Sequence, residues 1–227
     1  MSGLEFALLL ALGLVAGLDT VSVPQAMVSR PIVAASLAGL VTGALGPALV
    51  AGAVLELFAL ETLPVGAARY PDWGPASVAA GACAGWVDSG AAGTLTAVIV
   101  GLAFAWVGGW TMHVARRRNA ITLARYRDAL DRGERAAIHA VQRAGLAHDA
   151  LRALVLSGVA LLGGRLMAGL SDHWEGPALL SRTALAATAA GVALWAGWRL
   201  FSSGRSGVLF AAGLGIGAAA AAAWWGR

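Results

Sequence analysis

The chain has 227 residues, of which 59% are hydrophobic and only 12% charged, with a net charge of +4 and a mean hydropathy of +0.74. Soluble domains carry roughly 25% charged residues, so this composition excludes an ordinary soluble enzyme and indicates a polytopic helical membrane protein. All 16 cations are arginines. Most of them lie in one segment, so they bear on membrane orientation before nucleic acid, for which no aromatic stacking platform or known motif is present.

The first apolar run, Leu4 to Leu18, lacks a basic leader and carries Glu5 where a signal peptide has positive charge, so it reads as a retained helix. A polar, proline-punctuated break follows, with Asp19, Ser22, Pro24, Gln25, Ser29, Arg30 and Pro31. Two apolar pieces come next, Ile32 to Leu45 and Ala48 to Leu60. Each is shorter than the roughly 20 residues a helix needs to cross the hydrocarbon. A re-entrant hairpin turning at Gly46-Pro47 is the expected form, because proline is tolerated where a helix begins. Two tilted spans are the alternative.

The exit from this hairpin is polar again, with Glu61, Pro64, Gly66, Arg69, Tyr70, Pro71 and Asp72. A small-residue segment, Pro75 to Val87, leads through a turn at Asp88-Ser89-Gly90 into a span from Ala91 to about Met112, where Trp106 and Trp110 suit an interfacial belt. Between His113 and Arg152 the character changes to nine arginines and four acids. The positive-inside rule makes this block cytoplasmic, and its recurring apolar residues predict one or two amphipathic helices broken near Gly133. Asp128/Arg132 and Asp131/Arg135 stand at helical i,i+4 spacing.

Three further spans are expected, at Leu151 to Leu170, Ala178 to Leu200 and Gly207 to Trp225. The acidic loop Asp172 to Glu175 falls outside and the basic loop Arg199 to Arg205 inside. Gly213, Gly215 and Gly217 give the last helix a smooth face suited to another helix, which favours an oligomer or a partner subunit. The expected organisation is one integral membrane unit: residues 1–112 as a transport core, 113–152 as a basic cytoplasmic segment, and 153–227 as C-terminal transmembrane helices.

Glu56 is the residue that demands a reason, since it stands inside the apolar run Ala48 to Leu60, and a charge at bilayer depth costs about 2.5–3.5 kcal/mol even on lenient scales. Short, Gly/Pro-interrupted segments with polar residues are where transporters hold their substrates. Glu56 and Asp19 offer paired acceptors and Gln25 both donates and accepts, a set suited to a neutral polyol, with Tyr70 and Trp73 as flat faces for sugar C–H groups. The structural alternatives stay open. Glu56 pairs with Arg30 or Arg69, Asp19 and Gln25 cap helix ends, Arg69 and Asp72 form an ion pair or fix the turn, and Trp73 anchors at the interface.

The four histidines show no metal-ligand spacing, no GxxxxGK[ST] loop is present, and no nucleophile shares an apolar span with a base. The lone Cys83 has no internal disulfide partner and reads as a small buried apolar residue. A transport protein is expected rather than a catalyst, with no metal and no cofactor.

Three motifs in order, Gln25-Ala26-Met27-Val28-Ser29-Arg30-Pro31-Ile32-Val33, Gly52-Ala53-Val54-Leu55-Glu56-Leu57 and Pro64-Val65-Gly66-Ala67-Ala68-Arg69-Tyr70-Pro71-Asp72, resemble the IIC (permease) subunit of the mannose/fructose/sorbose family of the bacterial phosphotransferase system. The resemblance implies a multi-pass protein of the bacterial plasma (inner) membrane that pairs with a IID membrane subunit. It would bind a hexose and move it by an elevator-like motion for phosphorylation by a soluble IIB partner fed by IIA. The family's buried glutamate falls on Glu56, its arginine-proline turn on Arg30-Pro31 and its proline-aspartate exit on Pro71-Asp72. The substrate-binding candidates are therefore Glu56, Gln25, Asp19, Arg30, Arg69 and Asp72. Two competing functions are an ion-coupled secondary sugar transporter, in which Glu56 and Asp19 titrate or hold an ion, and a non-transporting membrane scaffold or sensor whose basic block recruits a soluble regulator.

Overall fold

The computed structural model describes residues 2–23, 25–62, 70–87, 90–171, 173, 178–201 and 205–225, without the side chains of 61, 200, 201, 205, 206 and 218–225. The described residues fold as helices: α1 Gly3–Asp19, α2 Pro31–Thr42, α3 Leu45–Glu61, α4 Trp73–Trp86, α5 Ala91–Arg125, α6 Arg127–Asp131, α7 Arg135–Ser171, α8 Ala178–Phe201 and α9 Arg205–Trp225. Three of them, over Ala91–Arg125, Arg135–Ser171 and Ala178–Arg199, are long and apolar enough to cross a membrane.

Local chemistry sets the helix ends. Ser2 and Glu5 form a reciprocal capping box at the start of α1, the Ser2 hydroxyl accepting from Glu5 N–H and the Glu5 carboxylate from Ser2 N–H, both at 3.1 Å. Pro31 occupies the first position of α2, where no amide donor is needed. The α2–α3 turn lies at Gly43-Ala44 and not at Gly46-Pro47. Gly43 takes φ +77, a left-handed C-cap that glycine adopts without Cβ strain, while Pro47 sits inside the first turn of α3, whose amides are unbonded in any case.

At 1.5 Å per residue α2, α3 and α4 measure about 18, 25 and 21 Å, all short of the roughly 30 Å hydrocarbon core. The pair α2–α3 packs as a helical hairpin against α4. Every residue of α4 from Gly74 to Ala84 is buried. Its side chains there are almost all Ala, Gly, Ser, Cys or Val, so α1, α2, α5 and α7 approach closely all round it, the small-residue packing expected within a bilayer. Cys83 lies in this core as expected.

Apart from the short α6, the basic block forms no helix of its own. It is the continuation of α5 beyond Met112 and of α7 before Leu151, joined through α6 and the left-handed Gly133 (φ +70), so the break near Gly133 falls where the sequence placed it. The turn displaces the expected charge pairs: Arg132 leaves the helix and its guanidinium meets Glu134 at 2.8 Å. At about 52 and 55 Å, α5 and α7 outrun the bilayer by some 20 Å. Trp106 and Trp110 are exposed on α5, consistent with an interfacial belt. α8 rests on α5 and α3, and α9 touches α8. Gly213, Gly215 and Gly217 have no neighbour within 4 Å of an added Cβ among the described residues. The acidic loop at 172 and 174–175, and Asp88 and Ser89, lie outside the described residues.

Candidate functional site

Leu55 lies against Gly101, ten residues into α5 and therefore about 15 Å from its Ala91 end, half the hydrocarbon thickness. With the Ala91 end of α5 taken as the edge of the hydrocarbon, the next residue, Glu56, falls near mid-depth. Of the alternatives for it, the structure realises the pairing with Arg30: the guanidinium Nη2 donates to Glu56 Oε1. The second oxygen accepts the Ile32 amide at 3.2 Å. Ile32 is in the first turn of α2, so the carboxylate of α3 sits at the positive end of the neighbouring helix. The hairpin thereby supplies both the acid and the groups that make its charge tolerable at that depth.

Asp19 ends α1 and is 2% exposed. Its carboxylate accepts Ala26 N–H at 2.6 Å, Ser29 N–H at 2.9 Å and the Ser29 hydroxyl at 2.8 Å. These bonds fold the break between α1 and α2 into a tight loop around Met27, which is held at φ +64. Asp19 is therefore spent on the backbone of its own loop and not on a helix end, since the cap of α2 is Arg30 without a side-chain bond. Gln25, in the same loop, is exposed.

Asp72 precedes α4 and is fully buried. Its partner is Arg152 of α7, whose Nη1 donates to Asp72 Oδ2. Arg152 also stands 3.9 Å from Asp149, one turn back on α7, and Asp149 accepts the Ser22 hydroxyl at 2.5 Å. One network thus ties the α1–α2 loop, the start of α4 and α7. Asp72 Oδ1 and Arg152 Nε and Nη2 have no hydrogen-bond partner among the described residues. The extended segment ending at Asp72 crosses α5 where Gly108 leaves room, an added Cβ there coming within 2.6 Å of Asp72 Cβ. The Asp72 amide donates to the Ala105 carbonyl at 2.8 Å.

Between these groups lies a cavity of about 90 Å³ lined by Thr20, Ser29, Arg30, Pro31, Ala59, Thr62, Tyr70, Pro71 and Trp73. Trp73 Nε1 donates to the Thr62 hydroxyl at 3.1 Å, which fixes the indole as one wall. Tyr70 is buried, and its hydroxyl accepts from Arg116 Nη2 at 2.9 Å while the same guanidinium lies 5.1 Å from the ring centroid. Small-molecule pockets run from roughly 300 to 1,000 Å³, so in this conformation the cavity is closed down around its own side chains. No cluster of His, Cys, Asp or Glu among the described residues has metal-site geometry.

Of the six candidates, Glu56 and Arg30 are brought together, Arg30 faces the cavity, Asp19 and Asp72 are buried in separate bonded clusters, Gln25 stands apart, and Arg69 lies outside the described residues. Arg152, Asp149, Ser22, Thr62 and Arg116 are polar contributors that the sequence reading leaves unassigned. Arg152 carried a faint signal: it is the last arginine before the apolar run from Ala153 and has an acid at i−3.

A model of the PTS system sorbose-specific IIC component family matches residues 4–194. The fructose permease IIC component of Bacillus subtilis (strain 168) is 41% identical over 78 residues, a stretch that spans 34% of this chain and 29% of that protein. Among solved structures, a membrane protein superposes with a TM-score of 0.74 at 21% identity, covering 96% of this chain and 87% of its own. The mannose transporter ManYZ, in its complex with microcin E492, superposes with a TM-score of 0.56 at 20% identity, covering 97% and 87%. At those identities the two structures speak for the fold, that of a multi-pass membrane protein. With the family match running over most of its length, the chain belongs to the sorbose-specific IIC component family of the phosphotransferase system.

Proposed function

We propose that this chain binds a hexose beside the Arg30–Glu56 pair and carries it across a bacterial inner membrane as the permease subunit of a sugar phosphotransferase system. A IID chain is its membrane partner, and a soluble IIB subunit, charged by IIA, phosphorylates the sugar on arrival. The arginine-rich end of α5 and α7 faces the cytoplasm. Residues 1–112 form the transport core, 113–152 the cytoplasmic hairpin, and 153–227 complete the membrane unit.

The observation that carries this reading is the Glu56 carboxylate, held near mid-bilayer by a guanidinium that also lines a cavity with an indole wall. A bare carboxylate at that depth is costly, whereas one that exchanges a guanidinium for sugar hydroxyls never loses its donors. Arg30 holds the acid while the site is empty, and substrate hydroxyls take over part of that role when it is filled. The small cavity suits a closed conformation. Admitting a hexose requires the α2–α3 hairpin to separate from the Tyr70–Trp73 segment, which is where an elevator-like displacement would open it. Asp19 and Asp72 act as positioning residues, one shaping the loop that presents Arg30 and the other anchoring the segment that carries Tyr70 and Trp73.

Uptake tests this reading. Cells expressing the chain with its IID, IIB and IIA partners should accumulate phosphorylated hexose, and Glu56→Gln should abolish that accumulation with membrane assembly intact. Normal uptake by Glu56→Gln would overturn the assignment, and accumulation of unmodified sugar that an uncoupler collapses would replace it with ion-coupled transport.

A further inference from the structure

Away from the Arg30–Glu56 site, α5 and α7 leave a groove of about 330 Å³ open to the outside of the bundle. Its walls are Val107, Trp110 and Val114 of α5 and Leu151, Val155 and Val159 of α7, and most of these side chains are half or more exposed. Its far end is polar, lined by the Arg118 guanidinium and the His148 ring. The Arg118 side chain is exposed and makes no hydrogen bond or ion pair among the described residues. His148 Nδ1 meets the Asn119 side-chain oxygen at 2.7 Å, which fixes the ring and leaves Nε2 available. Arg152 borders the groove too, but its charge is already opposed by Asp72 and Asp149.

The depth of these residues follows from helix rise. Trp110 lies 19 residues from Ala91, about 28 Å, at the far edge of the hydrocarbon, and Arg118 lies about 12 Å beyond it. On α7 the apolar wall from Leu151 to Val159 is about 12 Å long, and with His148 bonded to Asn119 and Leu156 against Gly108 it runs alongside α5 from beyond Trp110 to within the hydrocarbon. The long Arg118 side chain, bending back toward the headgroups, therefore sets a cation beside an apolar channel whose inner end enters the acyl-chain region.

We infer that this groove is a binding site for an anionic phospholipid, whose phosphate meets Arg118 and His148 and whose acyl chain lies along Val155 and Val159. A soluble anion makes no use of a 12 Å apolar wall, and an uncharged helix packed there would leave Arg118 unanswered. A lipid with a negative headgroup satisfies both features at once. Because the same stretch of α7 carries Arg152, an occupied groove also steadies the residue that holds Asp72, which links lipid composition to the transport core.

Native mass spectrometry of the purified full chain, in neutral detergent containing phosphatidylglycerol or phosphatidylcholine of matched acyl chains, tests the proposal. An arginine near an anionic headgroup is worth on the order of fivefold in affinity, so wild type should retain phosphatidylglycerol about fivefold better through Arg118. Arg118→Glu should erase that preference while the protein still elutes as wild type does. Val155→Trp, which fills the channel without changing charge, should lower retention of phosphatidylglycerol. Equal retention of both lipids by wild type, or an unchanged preference in Arg118→Glu, would overturn the site. So would displacement of the lipid by millimolar inorganic phosphate, which would make it a phosphate site, or its loss on co-purification with a membrane partner, which would make it a protein interface.

Discussion

Asp72 and Arg152, 80 positions apart, meet in a buried ion pair that joins the start of α4 to the middle of α7. Neither has water to fall back on, and each is the main answer to the other's charge. Removing one partner of such a pair typically costs about 3–5 kcal/mol, whereas replacing both by apolar groups is often neutral. Asp72→Ala and Arg152→Met should therefore each lower the unfolding temperature in detergent sharply, and the double variant should recover much of the loss. A double variant as unstable as the sum of the two would show that the charges do separate work.

The loop between α1 and α2 hangs on Asp19. Replacing its carboxylate with an amide sets an NH2 against donors, leaving at least one of Ala26 N–H, Ser29 N–H and the Ser29 hydroxyl unsatisfied at about 1–3 kcal/mol. Asp19→Asn should open the loop to limited proteolysis between Val21 and Ser29. Met27→Gly should do the reverse, because a left-handed backbone costs a residue with a Cβ on the order of 1 kcal/mol.

Two buried hydroxyls, Ser77 Oγ and Ser157 Oγ, have no hydrogen-bond partner among the described residues. An unsatisfied buried polar group costs about 1–3 kcal/mol, so Ser77→Ala and Ser157→Ala should leave thermal stability unchanged or raise it. A marked loss in either would mean that the hydroxyl serves a state of the protein other than this one.

Glycine position separates internal packing from free surface. At Gly108 an added methyl would strike Asp72 Cβ at 2.6 Å and Leu156 Cδ2 at 2.8 Å, so Gly108→Ala should cost about 1–3 kcal/mol and displace the Asp72 segment. Gly213→Ala meets nothing within 4 Å among the described residues and should gain up to about 1 kcal/mol of helix propensity in the isolated chain. If the α9 face seats a partner subunit, the same change should reduce co-purification of that subunit, which a pull-down would measure.

Part of this protein was written locally. Composition fixes the membrane class, Ser2 and Glu5 announce the first helix, the apolar runs too short to span mark the hairpin, and Glu56 stands out because a charge in an apolar run has no local excuse. Those signals depend on hydropathy and on neighbours within one turn, which a chain displays without being folded. The partners do not have that property. That Arg30 answers Glu56, that Asp72 looks to α7 and that Asp19 turns inward to its own loop all depend on which helix faces emerge side by side. Residues such as those of α4, small on every side, carry no periodicity that would say so. Only packing brought Arg152 to Asp72 and left Arg118 above an open apolar groove, because burying or exposing a charge is decided by what the other helices cover.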